Sequence, residues 1–134
     1  MSATKLVLNN DFTIYFHDYS ELINDALGAN REIIEFKSYT EELNNHSLDE
    51  IDIELSNEEN LSRILLIDEE DGTTYPRNDY VLNLGISSIS ILEDKPSNPP
   101  TVRKEYTLRL GKRTYLENQL KALGLPVAST ETMQ

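Results

Sequence analysis

Tyr80-Val-Leu-Asn-Leu-Gly85-Ile-Ser-Ser-Ile-Ser-Ile-Leu92 is the stretch that decides the fold class. It is a long β-prone run, too rich in branched residues and serine to favour a helix. Gly85 in its middle predicts a bulge or a bend. On its C-terminal side, Glu93 to Pro100 holds three of the chain's five prolines, so it reads as a loop. Val102 to Leu110 then alternates, with Val102, Lys104, Tyr106, Leu108 and Leu110 on one face and Arg103, Glu105, Thr107 and Arg109 on the other. That is the last strand. Gly111 should break it. Arg113 to Leu123 reads as a helix, with Leu116, Leu120 and Leu123 on one stripe and Gly124 and Pro126 as its stop.

Toward the N-terminus the same reasoning gives more strands. Leu61 to Ile67 reads as a strand, most apolar from Ile64 to Ile67, and Asp68-Glu-Glu-Asp-Gly-Thr73 turns the chain, since Asp-Gly is a strong hairpin signal. Thr73 to Tyr75 starts the return strand, which Pro76 to Asp79 should interrupt. Asn57 to Asn60 reads as a polar loop. Ser47-Leu48-Asp49-Glu50 is a capping box that opens a short helix, Leu48 to Leu55. The alternation Ile51-Asp-Ile53-Glu-Leu55 leaves a strand open there. Arg31 to Ser38 reads as a strand. Asp18 to Gly28 fits a short helix capped by Ser20 and stopped by Gly28, or equally a loop. Lys5 to Leu8 and Phe12 to His17 form a hairpin about Asn9-Asn10-Asp11, with Phe12, Ile14 and Phe16 facing inward.

The sum is an α+β domain. A mostly antiparallel sheet of about six to seven strands carries one or two short helices and a C-terminal helix. With 134 residues, 38% of them hydrophobic, the chain supports one modest core, assigned to residues 1–126. Residues 127–134 are expected to form a disordered tail.

Charge adds a second layer. The formal net charge is −12, which opposes binding to nucleic-acid phosphate and suits a basic protein partner. Between Glu41 and Asp71, twelve acids face Arg63 alone; between Lys95 and Lys121, seven cations face only Glu105 and Glu117. Such a split means either solvated faces and attraction between the halves, or a two-signed surface for assembly.

The chemistry of catalysis is thin. The chain has no Cys, which removes a thiolate metal site and a Cys nucleophile. No apolar run is long enough for a signal peptide or a membrane span, so a soluble protein is expected. His17 and His46 are the only histidines, both read as surface residues, and there is no nucleophile elbow. Gly111-Lys-Arg-Thr114 lacks the first glycine of a phosphate loop, because Tyr106 stands there. Asp68 to Gly72 lacks the spacing of a calcium loop. No catalytic residue, metal ligand or cofactor is expected. The residues singled out as an interaction surface are Glu69, Glu70, Asp71, Arg109, Lys112, Arg113, Tyr115, Leu116 and Leu120.

The order of these elements, and above all the ending Lys112-Arg-Thr-Tyr115-Leu-Glu117-Asn-Gln-Leu120, resembles small proteins encoded in the structural gene clusters of bacteriophages and prophages of Gram-positive bacteria. In some of those proteins the last helix is longer and coiled-coil-like, whereas here it stops at Gly124. The resemblance implies a non-enzymatic virion part, a tail, baseplate or head-decoration component made in the host cytoplasm. Its partners would be other virion proteins and copies of itself, with no membrane and no nucleic acid. The acidic segment supports an alternative: a phage-encoded mimic of nucleic acid that blocks a host defence nuclease.

Overall fold

A computed structural model describes residues 4–24, 31–92 and 102–125. Among these, eight strands form two antiparallel sheets, one strand more than the upper end of the sequence expectation. The chain feeds the sheets in pairs. Strands β1 (Lys5–Val7) and β2 (Thr13–Tyr15) enter the first sheet, and β3 (Asp18–Asn24) and β4 (Arg31–Tyr39) the second. A 3-10 turn (Thr40–Leu43) and helices α1 (Leu48–Leu55) and α2 (Glu58–Leu61) follow. Strands β5 (Arg63–Ile67) and β6 (Thr74–Asn78) then return to the first sheet, and β7 (Leu82–Leu92) and β8 (Val102–Gly111) to the second. Helix α3 (Tyr115–Ala122) is the last element among the described residues. The sheet orders are β2-β1-β5-β6 and β3-β4-β8-β7.

One hydrophobic cluster takes residues from both sheets: Leu6, Ile14, Ile64 and Leu66 from the first, Ile34, Phe36, Leu108 and Leu110 from the second. Ile51 and Leu55 of α1 and Leu61 of α2 complete it. Phe16 lies where the chain crosses between sheets, its ring 5.0 Å from that of Phe36.

Several sequence expectations hold. The first hairpin turns at Asn9–Asp11, where Asp11 takes the positive φ of 71° and donates its amide to Leu8 O at 2.9 Å. Ser47 and Glu50 form the capping box of α1. Ile51 and Leu55 are buried while Ile53 is exposed, so the region is a helix and not a strand. The β7 run is a strand, with a register shift between Asn83 and Gly85 and a φ of 106° at Gly85.

Four expectations need correction. Asp18 to Asn24 is a strand, not a helix or loop; β4 offers it a complete antiparallel partner from Lys37 back to Arg31, and this ladder outweighs the Ser20 cap. Residues 25–30 of that expectation lie outside the described residues. The expected loop at Asn57–Asn60 instead opens a turn of helix, Glu58–Leu61, because Asn57 Oδ1 accepts the Glu59 amide at 3.0 Å and caps it. Pro76 does not interrupt β6, since a strand at the sheet edge does not need its N–H. Gly111 does not break β8 but is its last paired residue, opposite both Ile33 and Leu82. The proline loop and the expected tail lie outside the described residues.

Candidate interaction surfaces

Helix α3 is closed at both ends by its own sequence. Thr114 Oγ1 accepts the Glu117 amide at 3.2 Å, and Glu117 Oε1 accepts the Thr114 amide at 2.8 Å. At the other end Gly124 takes a φ of 75°. The Gly124 amide donates to Lys121 O at 3.0 Å and the Leu125 amide to Leu120 O at 2.9 Å, a Schellman ending. The helix therefore satisfies its end groups locally. None of its residues is buried, so it gains little from core packing and leans on these caps.

Arg31 holds α3 to the body. Its side chain is only 2% exposed. Nη1 donates to Lys112 O at 2.7 Å and to Glu117 Oε1 at 2.9 Å, and Nη2 donates to Glu117 Oε2 at 3.0 Å. Partial burial alone would raise the Glu117 carboxyl. The hydrogen bonds from Arg31 and from the Thr114 amide outweigh it and hold the group below the usual carboxylate range. Around this anchor lie further pairs: Arg113 with Glu58, Lys121 with the same Glu58 at 3.9 Å, and Lys112 with Glu32 at 3.5 Å. A cleft of about 580 Å³ separates α3 from α2 and the strand ends, and these same charges line it.

The other face of α3 meets no described residue that covers it. Tyr115 is 80% exposed, Leu116 65% and Leu123 72%; Leu120 is half-buried. The structure thus brings Lys112, Arg113, Tyr115, Leu116 and Leu120 together at one end of the molecule. Lys112 and Arg113 point into ion pairs, and Tyr115 and Leu116 toward solvent. Arg109 lies apart on the second sheet, paired with Glu35 at 3.2 Å.

Glu69, Glu70 and Asp71 do not join this group. They sit on the β5–β6 turn, at the far end of β5 from α2 and α3. There the Asp68 amide donates to Thr73 O, Asp68 Oδ1 accepts the Glu70 amide, and Asp71 Oδ1 accepts the Thr73 amide at 2.8 Å. Two of the turn's carboxylates thereby close the backbone of an acidic hairpin. Glu69 reaches Lys5 at 3.7 Å.

A second polar cluster ties the β2–β3 link and the 3-10 turn to the second sheet. His17 Nδ1 lies 2.6 Å from Glu42 Oε1, and Nε2 lies 2.7 Å from Glu105 Oε2. The ring stacks on Tyr39 at 3.9 Å, and Arg103 covers the Tyr39 ring while pairing with Glu41. The residue stands on the surface, but both ring nitrogens are engaged. Among the described residues no group of His, Asp and Glu has the arrangement of a metal site. No helix there is long and apolar enough to cross a membrane.

Sequence reasoning missed Arg31, Glu117, Glu58 and the His17 cluster. Thr114-x-x-Glu117 was a legible capping box. Nothing local marks Arg31, whose partner is 86 residues away. The charge split is partly neutralised within the chain, because Arg103, Arg109, Lys112, Arg113 and Lys121 all pair with its own acids. Compared with protein-family models, curated proteins and solved structures, the chain matches none.

Proposed function

We propose that this protein is a non-enzymatic bacteriophage virion component, a tail, baseplate or head-decoration part that works through protein–protein contacts. The observation that carries the binding role is the apolar face of α3. A helix capped at both ends and pinned by a buried arginine holds its shape without a partner, yet Tyr115, Leu116 and Leu123 stay in solvent. Residues of that kind on a rigid element suit the centre of a contact patch. The virion setting comes from the resemblance of the chain's ending, Lys112 to Leu120, to phage structural-cluster proteins.

The test is mass-spectrometric detection of the protein in purified virions, with assembly scored for Leu116→Asp. Presence in the particle and loss of incorporation in the variant are expected. Absence from purified virions would sink the reading.

The alternative, an acidic nucleic-acid mimic, is favoured by one feature: Glu69, Glu70 and Asp71 are all exposed on one turn. It requires salt-sensitive binding to a nuclease, abolished by reversing those three charges. The assembly reading expects that triple variant to be incorporated normally.

A further inference from the structure

The two sheets present four edge strands, and three of them are blunted against pairing with another chain. Strand β2 is three residues long. Strand β6 carries Pro76 and Arg77. Strand β3 carries Asp18 and Glu21, and Glu21 pairs with Arg77 of the other sheet. Strand β7 runs for eleven residues from Leu82 to Leu92 with no charge and no proline, and among the described residues β8 is the only strand that pairs with it. Past the bulge at Asn83–Gly85 its outer edge presents a row of backbone N–H and C=O groups.

A cleft of about 240 Å³ opens beside β7, against the start of α1. Leu48, Ile86 and Tyr106 give it apolar walls, and Asp49 and Asp52 bring two carboxylates. The two acids are three residues apart on α1, so they share a face of the helix. Asp52 Oδ1 accepts Asn83 Nδ2 at 2.9 Å, which fixes that carboxylate beside the strand. Neither acid forms an ion pair among the described residues. The ladder sets Ile86 opposite Leu108 and Ser88 opposite Tyr106, both buried, so Ile86 and Ser88 lie on the cleft side of the sheet. Lys104 shares that side but stands opposite Ser90, farther along the strand.

We infer that β7 takes up an extended segment of a basic partner protein as a further strand, with a lysine or arginine of that segment seated between Asp49 and Asp52. Two independent features coincide there. The open edge supplies backbone hydrogen bonds, which hold any extended chain, and the cleft beside it selects the side chain. Every second side chain of an added strand points to the cleft side. A lysine stem then lies along Leu48 and Ile86 while its ammonium reaches the carboxylates. Charge decides what kind of chain binds. A net charge of −12 draws a basic segment and repels an acidic one. It also repels a second copy, and β7 carries no cation that could fill another copy's cleft. The inference rests on the binding role proposed above and names the class of partner. Its surface is separate from α3.

The test is an amide NMR titration of the labelled chain with the synthetic peptide Thr-Val-Thr-Val-Lys-Val-Thr-Val-Thr, carried to millimolar concentration. Shifts should collect on Ile86–Ile91 and on the first turn of α1, and leave α3 unmoved. Exchanging the peptide's lysine for glutamate should weaken binding about tenfold or more. Methylating the peptide's backbone nitrogens on its bonding edge should abolish binding, with no change to the protein. Asp49→Lys, at an exposed helix position, should keep the fold and remove the preference for the lysine peptide. An unmoved β7 at millimolar peptide would overturn the proposal, as would equal affinity for the lysine and glutamate peptides. Shifts in β7 on concentrating the chain alone would overturn it too, and would assign the edge to a second copy. A chain found in purified virions whose β7 ignores the peptides would refute the edge and leave the virion reading standing. Peptide binding by a chain absent from virions would do the reverse.

Discussion

Arg31 and Glu117 meet in two parallel hydrogen bonds of 2.9 and 3.0 Å, joining the first residue of β4 to the first turn of α3 across 86 residues. The same carboxylate caps its helix through the Thr114 amide. One glutamate therefore starts the helix and docks it. The guanidinium is planar and forked, which matches a carboxylate in this geometry. Because α3 buries no residue, this polar joint takes the place that an apolar seam would take in an ordinary docked helix.

Replacing Arg31 with Ala should destabilise the fold by about 3 kcal/mol, the scale for losing one partner of a buried pair. Arg31→Lys should recover little, since an ammonium cannot reproduce the fork. Urea unfolding measures the loss. Amide exchange in Tyr115–Ala122 should rise more than in α1, because α3 loses its anchor while α1 keeps its core contacts.

Acid should loosen the same joint. Glu117 titrates below the usual carboxylate value of 4.5 in the folded state, so the unfolded chain binds protons first as pH falls. Its contribution is complete above that value. It declines as pH drops toward the lower folded value and vanishes below it. Glu117→Gln should be less stable than the parent at pH 7, and the gap should narrow at pH 3. Thermal unfolding at the two pH values reads the difference.

Helix α1 gives a sharper test of its periodicity. A strand would treat Ile51, Ile53 and Leu55 alike, whereas the helix buries Ile51 and Leu55 and leaves Ile53 68% exposed. Ile51→Ala and Leu55→Ala should each cost about 2–5 kcal/mol, and Ile53→Ala under about 0.5 kcal/mol. Comparable losses at all three positions would contradict the helix.

What the sequence made legible follows the range of the interactions involved. Ser47 and Glu50, or Asp11 in its turn, act on neighbours within a few residues, so their patterns can be read directly. Tyr19 and Leu22 lie on a strand whose partner is β4, and the pairing of a Ser20 cap with a Gly28 stop gave a misleading local signal. Pro76 looked like a break because its tolerance depends on lying at an edge, which only the sheet order reveals. The interaction residues divided in the same way. Lys112 to Leu120 were found together because they are contiguous. Grouping them with Glu69, Glu70 and Asp71 required distances that no spacing along the chain encodes.

His17 should be structural. His17→Phe keeps an aromatic ring for Tyr39 but leaves Glu42 and Glu105 without their shared partner. A loss of about 1–2 kcal/mol is expected, on the scale of stranded polar groups. His17→Ala should cost more, since it also removes the stacked ring. Chemical denaturation of the two variants separates the contributions.

Gly111 connects the β8 ladder to the Arg31 joint. A Cβ built there would lie 2.9 Å from Leu84 Cδ1 and 3.0 Å from Arg31 Cδ. Leu84 can turn aside, but Arg31 cannot while Glu117 holds its head. Gly111→Ala should therefore cost about 1–3 kcal/mol, the range for overpacking. If the strain acts through Arg31, the cost should shrink once the arginine is released. Glu117→Ala and Gly111→Ala combined should then be more stable than the sum of the single losses predicts, by about 0.5 kcal/mol or more. Strict additivity would place the strain on Leu84 instead, and would separate the glycine from the docking of α3.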